Sequence, residues 1–258
     1  MDLELNGKVA LVAGASRGLG AAIADRLARE GCSLVITARG EEALHEKAEQ
    51  LRGHGVEVHA VAADVTDGGA AQTLVDAAVE RFGGLDLLVG NAGGNRRKPF
   101  AETTDEDWAD ILNLNFQAHL RLARTAIPAM RKRGGGAMLF VASIFGREAG
   151  GAGLSIYNAT KSALISAAKI MSLELAGEGI RVNTLAPGSI RFEGGSWDKR
   201  VKADPEAMKQ FVADNIPLGR FGTAEEIGDV AAFLLSARAS LITGACLNAD
   251  GGQSKSLI

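Results

Sequence analysis

Cysteine is nearly absent. The chain has two, Cys32 and Cys246, set in the apolar runs CSLVIT and TGACLN. Their spacing matches neither a metal site nor a disulfide framework, so both read as small buried hydrophobes and no metal is expected. An excess of positive charge is also missing. A formal net charge of −3 gives no basic field for nucleic acid, and the basic clusters that exist are short. No apolar run approaches the length of a membrane span, and the opening MDLELNGK is acidic where a secretory leader needs basic residues and an apolar stretch. A cytoplasmic protein is expected, with neither membrane nor nucleic acid as partner. Repeats, low-complexity tracts and linkers are lacking too, so nothing divides residues 1–258 into two domains. With 47% apolar residues, the chain can bury roughly three quarters of its unfolded surface around one sheet.

Glycine is what the chain has in excess. Its 33 copies in 258 residues are nearly twice the usual ~7%. They gather at 14/18/20, 134–136, 146–153, 194–195 and 251–252, where loops meet regular elements. Short apolar or β-branched runs recur along the chain: KVALVA (8–13), SLVIT (33–37), VEVHAVAA (56–63), LDLLV (85–89), AMLFVAS (137–143), IRVNTLA (180–186) and ACLNA (245–249). Between them lie amphipathic helical patterns, among them 22–30, 41–52, a long one over 105–132, 155–177 and 224–235. Thr223 and Glu226 have capping-box spacing at the start of the last. Strands that alternate with helices pair in parallel, and strands apolar on both faces are covered on both sides. The expected fold is α/β: one doubly wound, Rossmann-type parallel sheet of about seven strands with helices on both faces. The stretch 188–215 has the least regular pattern and reads as a mobile flap, with Trp197 as either its lid or its anchor.

The first strand runs straight into Gly14-Ala15-Ser16-Arg17-Gly18-Leu19-Gly20, which opens a helix. Glycines there let backbone N–H groups at a helix N-terminus approach a pyrophosphate. The spacing G-x-x-x-G-x-G differs from the commoner dinucleotide fingerprint, and a glycine triplet also serves a plain turn. Its place between strand one and helix one favours the dinucleotide. A chain reading NAD carries Asp or Glu at the end of strand two, for the ribose 2′-hydroxyl. Here Ala38-Arg39 stands there, and Arg39 with Arg17 offers two guanidiniums for a 2′-phosphate. NADP(H) is therefore expected over NAD(H), against the plainer reading of two solvated arginines. Asp64-Val65 ends strand three and Asn91-Ala92-Gly93 follows strand four, both at the ligand-binding carboxyl edge. Asp64 suits an adenine contact or a cap of the next segment.

Tyr157-Asn-Ala-Thr-Lys161 places a phenol and an ammonium on one helix face, and this is the chain's only tyrosine. A phenol titrating near pH 10 is a poor acid-base at neutrality, and the Lys161 cation, helped by positive charge on an oxidised nicotinamide, is expected to lower it. Ser143 ends strand five at the same edge, where its hydroxyl can bond a substrate oxygen that Tyr157 protonates. Asn115 lies in the long helix, an unfavourable place for Asn unless it is used. His119, one turn on, reads as a packing or interface residue.

AGASRGLG (13–20), Asp64, NAG (91–93), NLN (113–115), Ser143, YNATK (157–161), PG (187–188) and LNADGG (247–252) occur in this order. Together they make the chain resemble the short, single-domain branch of the short-chain dehydrogenase/reductase family over nearly its whole length. The resemblance implies a seven-stranded sheet, a catalytic set of Asn115, Ser143, Tyr157 and Lys161, and transfer of the pro-S hydride. It also implies that Lys161 holds the nicotinamide ribose and Asn115 anchors a water in a proton relay. Ile190, after Pro187-Gly188, would meet the carboxamide through its backbone. Departures from the family pattern are Ala13 and Gly90 in the two glycine loops, a Ser143-to-Tyr157 gap of fourteen, and Phe192 where a Thr often bonds the nicotinamide amide.

IRVNTLAPG and NIPLGRFGTAEEIGDVAAFL look like the 3-oxoacyl carrier-protein reductases of that family. Those enzymes tend to carry a basic residue where this chain has Glu178, so a small free carbonyl or alcohol is ranked above a carrier-bound acyl chain. Arg96-Arg97-Lys98 offers either a contact for an acidic substrate or a solvated face. A sensor or scaffold without turnover would have lost Tyr157 or Lys161, and an epimerase or dehydratase would carry a longer C-terminal substrate domain. The helix over 155–177 is apolar or small around much of its circumference, more than one core-facing stripe requires. With the family resemblance, this leads to an expected homotetramer.

Overall fold

A computed structural model describes residues 2–257. Strand β1 (Val9–Ala13) is buried throughout and feeds two cores. Ala10 and Val12 point to one face, and Val9, Leu11 and Ala13 to the other. A strand apolar at every position packs only with helices on both sides. The other strands of the sheet are β2 (Ser33–Ala38), β3 (Val58–Ala62), β4 (Leu87–Gly90), β5 (Gly136–Val141), β6 (Ile180–Pro187) and, after two short strands, β9 (Cys246–Ala249). Their order is β3-β2-β1-β4-β5-β6-β9, and every neighbouring pair is parallel. The seven-stranded α/β sheet expected from the sequence is the one observed. The remaining strands, β7 (Ile190–Arg191) and β8 (Gly222–Thr223), form a separate parallel pair.

Helices α1 (Gly18–Arg29), α2 (Glu41–Arg52) and α9 (Ala224–Leu235) cover one face, with Ile23, Leu27, Leu44, Leu51 and Ile227 in its core. The other face is covered by α3 (Ala70–Phe82), α5 (Ala118–Lys132) and α6 (Ser155–Leu175), which contribute Leu74, Val75, Leu122, Ala126 and Leu164. Thr223 and Glu226 form the capping box of α9 that their spacing predicts. Between β1 and β4 the winding direction reverses, and their registers align Ala13 with both Thr37 and Gly90. The loops after β1, β2 and β4 therefore leave the sheet side by side, at the crevice where such sheets take ligands.

Three expectations are corrected. The long helix over 105–132 is α4 (Asp105–Leu112) and α5 joined by a π-helical turn at Asn113–Gln117. The stretch 188–215, expected to be irregular, contains β7, α7 (Ser196–Ala203) and α8 (Pro205–Asn215). Asp204 starts α8 by accepting the Ala207 N–H at 3.0 Å, with Pro205 in the first turn. Buried Asp198 braces α7, taking hydrogen bonds from the Arg191 guanidinium, the Gly194 N–H and Lys202. Trp197 lies 4.7 Å from Phe211 and 5.3 Å from Phe221 between ring centroids, so it anchors this segment. Cys32 is buried as expected, whereas Cys246 on the edge strand is only half-buried.

Candidate active site

The loop after β1 is shaped by close backbone approach. Gly14 and Ala15 both donate their N–H to the Thr37 carbonyl, and Asn91 Nδ2 donates to the Gly14 carbonyl at 3.0 Å. A Cβ on Gly20 would fall 2.1 Å from the Gly14 oxygen, and one on Gly14 would fall 3.0 Å from the Ala92 backbone. No side chain fits at Gly20, and at Gly14 one would be both crowded and strained by the left-handed backbone at φ +73°. Helix α1 starts without a side-chain cap and without an acid in its first turn, so its N-terminal N–H groups and positive dipole end are left for an anion. Phe192 packs against Gly18, where a Cβ would lie 2.7 Å from its ring.

This cradle opens on a cavity of about 590 Å³. Of the residues expected to bind a dinucleotide, Gly14, Ser16, Arg17, Gly18, Leu19, Arg39, Asp64, Val65, Asn91, Ala92, Gly93, Tyr157 and Lys161 line it. Gly20 stands behind it as a packing glycine, and Pro187, Gly188 and Ile190 do not line it. Sequence reasoning passed over Leu114 and Ser196 as lining residues, and noticed Phe192 only as a departure from pattern. Arg39 Nη1 lies 3.8 Å from Asp64 Oδ2. Asp64 also accepts the Thr66 N–H at 2.9 Å and the Thr66 hydroxyl at 2.7 Å, which is the capping alternative. Partial burial raises its carboxyl, but the Thr66 hydrogen bonds and the Arg39 charge outweigh this and hold it below the ordinary value.

At the other end of the cavity, Tyr157 and Lys161 sit on the first two turns of α6. The Tyr157 phenol shares a hydrogen bond with Ser143, the residue just before a turn of 3₁₀ helix after β5. Lys161 Nζ donates to the Val141 carbonyl at 2.8 Å and lies 5.9 Å from the Tyr157 ring centroid. Burial pushes the phenol above its ordinary value, an effect the Ser143 hydrogen bond only offsets in part. Burial also brings the Lys161 amine down to about 8. Desolvation dominates both groups, so Lys161 alone does not lower the phenol; the nicotinamide charge that the expectation also includes is a separate contribution. Asn115 is fully buried in the π turn. Its Oδ1 accepts the Gly94 N–H at 2.8 Å, while Nδ2 donates to the Gly94 carbonyl at 2.9 Å and to Thr160 Oγ1 at 3.1 Å. It joins the turn after β4 to α6.

Arg96 and Lys98 are both committed to Asp107, and Arg96 also to Asp110, while Arg97 Nε donates to the Ala152 carbonyl at 3.1 Å. This basic run is an internal brace. Arg131 forms a two-pronged ion pair with Glu178.

A family model described as Enoyl-(Acyl carrier protein) reductase matches residues 14–254. The 3-oxoacyl-(acyl-carrier-protein) reductase of Vibrio cholerae is 36% identical over 250 residues, 97% of this chain and 98% of that protein. Dehydrogenase/reductase SDR family member 4 of Sus scrofa is 36% identical, over 98% of this chain and 89% of that one. The crystal structure of L-sorbose reductase from Gluconobacter frateurii, complexed with NADPH and L-sorbose, superposes with a TM-score of 0.95 at 38% identity, over 100% of both chains. The chain belongs to the short-chain dehydrogenase/reductase family and is an oxidoreductase of carbonyl and alcohol groups.

Proposed function

We propose that the protein is an NADP(H)-dependent reductase of a small free ketone, with Tyr157 as its general acid. One observation carries this reading: a single cavity holds the glycine cradle and two arginines at one end and Tyr157 with Lys161 at the other. The backbone of Gly14 to Gly20 would take the pyrophosphate, and Arg17 with Arg39 the 2′-phosphate. When bound, the cofactor supplies the hydride. Tyr157 gives its proton to the carbonyl oxygen, and Ser143, already hydrogen-bonded to the phenol, bonds the same oxygen and fixes its position. Lys161 supplies positive charge behind the phenol, and Asn115 holds the turn that faces it. By the family resemblance, backbone groups at Pro187, Gly188 and Ile190 would approach the nicotinamide end from beyond the residues that line the cavity, and α7, whose Ser196 lines it, would cover that end. The L-sorbose reductase relative supports both a free sugar-like ketone and NADPH. We further propose a homotetramer in the cytoplasm. No helix among the described residues is long and apolar enough to cross a membrane.

Glu178 weighs against a carrier-bound substrate. Its carboxylate pairs with Arg131, so that guanidinium is not free to meet an acidic carrier protein. The deciding experiment follows NADPH oxidation with hydroxylated ketones, simple ketones and acetoacetyl-carrier protein. Higher catalytic efficiency with a free ketone is expected. A preference for the carrier-bound thioester would overturn the substrate reading, and no NADPH turnover with any of these would overturn the enzyme itself.

A further inference from the structure

His119 is fully buried on α5, one turn past Asn115. Its Nε2 lies 2.9 Å from the Ala92 carbonyl oxygen. A carbonyl has no proton to give, so Nε2 carries the hydrogen and donates it. Nδ1 is then the bare nitrogen, and it has no hydrogen-bond partner among the described residues. The ring fits because residue 90 is glycine. A Cβ there would lie 2.7 Å from His119 Nδ1 and 2.6 Å from the Phe140 ring, which meets the imidazole edge-on at 6.0 Å. Burial and the nearby Lys161 charge push the imidazole down to about 3, consistent with a neutral donor.

The carbonyl that His119 grips belongs to the turn from Asn91 to Gly94, which leaves the sheet at the end of β4 and forms one wall of the cavity. That turn is tied at Asn91 to Gly14 and at Gly94 to Asn115. Between these two ties, His119 supplies the hydrogen bond to the middle. Gly93 lies so near the amine that a Cβ on it would be 3.5 Å from Lys161 Nζ. A shift of this turn would move the cofactor wall and the surroundings of Lys161 together.

We propose that His119 is a positioning residue for the Asn91–Gly93 wall of the cofactor cavity, and that Gly90 provides the space that admits it. The inference rests on reading the cavity as a dinucleotide site. In His119→Leu the Ala92 carbonyl is left without its donor, and NADPH should bind about tenfold more weakly. Turnover at saturating cofactor should change far less. His119→Gln keeps a side-chain N–H of comparable reach and should restore most of the affinity. Binding is read by fluorescence titration with NADPH, and the imidazole nitrogens of the wild type by ¹⁵N NMR, where a protonated Nε2 and bare Nδ1 are expected. A folded His119→Leu protein that binds NADPH as tightly as the wild type overturns the inference. If that variant does not fold, a proton on Nδ1, or a folded His119→Gln protein as weak as an empty cavity, overturns it instead. Wild-type protein unable to bind NADPH removes the reading of the cavity and this inference with it, whereas equal binding by wild type and His119→Leu removes the inference alone.

Discussion

Arg39 and Asp64 face one another in the lining of the cavity, guanidinium to carboxylate at 3.8 Å, with the Arg39 side chain 78% exposed and that of Asp64 31% exposed. At that distance and exposure the pair is loose, worth no more than about 1 kcal/mol. Arg39 is thus oriented without being tied up. A 2′-phosphate brings a stronger acceptor, and a charge-assisted contact of about 1.5 kcal/mol gives roughly tenfold selectivity. Arg39→Asp should lower the NADPH-to-NADH efficiency ratio by about that factor or reverse it, since repulsion from the new carboxylate adds to the lost attraction. Equal efficiencies of the wild type with both cofactors would show that Arg39 does not read the phosphate.

Tyr157→Phe should retain its melting temperature and its cofactor affinity, and lose about 10²–10⁴ in turnover, the usual worth of a positioned acid-base. Direction adds a second test. A phenol held above its ordinary value is protonated across the neutral range, ready to act as an acid. Alcohol oxidation needs phenolate and should quicken as pH rises toward 10. Steady-state rates in both directions check this, and a Phe variant that keeps the alkaline slope would assign it to another group.

Lys161 makes stability depend on pH with a definite sign. Its folded amine titrates near 8 and its ordinary value is 10.5, so between these values the unfolded chain holds more protons than the folded one. Stability from this group therefore rises as pH increases through that window, because the buried charge is given up first in the fold. Thermal melts of wild type and Lys161→Met at pH 7 to 10 should show the wild type gaining on the variant. Parallel curves would mean that burial does not depress this amine.

Ile170 and Leu173 on α6 are exposed, at 52% and 65%, although the helix buries Leu164 and Ala168. Leu247 on the edge strand β9 is open as well. Apolar residues on a helix and on a sheet edge suit two different symmetric contacts. Light scattering at micromolar concentration should give four times the chain mass of 26.7 kDa. The mass of a single chain would refute the assembly, and twice that mass would leave one contact.

The seven strands and the glycine cradle were legible because each is local: a short run apolar on both faces, or a backbone approach that only glycine permits. Tyr157 and Lys161 were legible by helical spacing. The π turn was not, since one added residue changes no composition and breaks no periodicity long enough to count. Helix α8 left a trace in Asp204-Pro205, a start signal that was passed over because the Gly-rich run at its beginning coloured the reading of the whole stretch 188–215. His119 was noticed as a packing or interface residue, but its hydrogen bond was not legible. Its partner is a backbone carbonyl 27 residues away, and its space depends on a hydrogen in place of a side chain at Gly90. The expected lowering of the phenol weighed the charges of Lys161 and the nicotinamide, whereas the desolvation that opposes it depends on burial that a sequence does not show.

The π turn at Asn113–Gln117 also makes the length of this chain matter at one point more than its identity does. Each residue of an ordinary α-helix advances the chain by about 100° and the wider π turn advances it less, so letting this turn close as α-helix with all five residues kept would rotate all of α5 against α4. Asp107 and Ile111 before the turn, and Leu122 and Ala126 after it, are buried only in their present phase. That closure would carry Leu122 toward solvent, whereas a single-codon deletion that turned the π turn into α-helix would keep Leu122 and Ala126 in phase. Point substitutions in the same five residues would disturb one contact each.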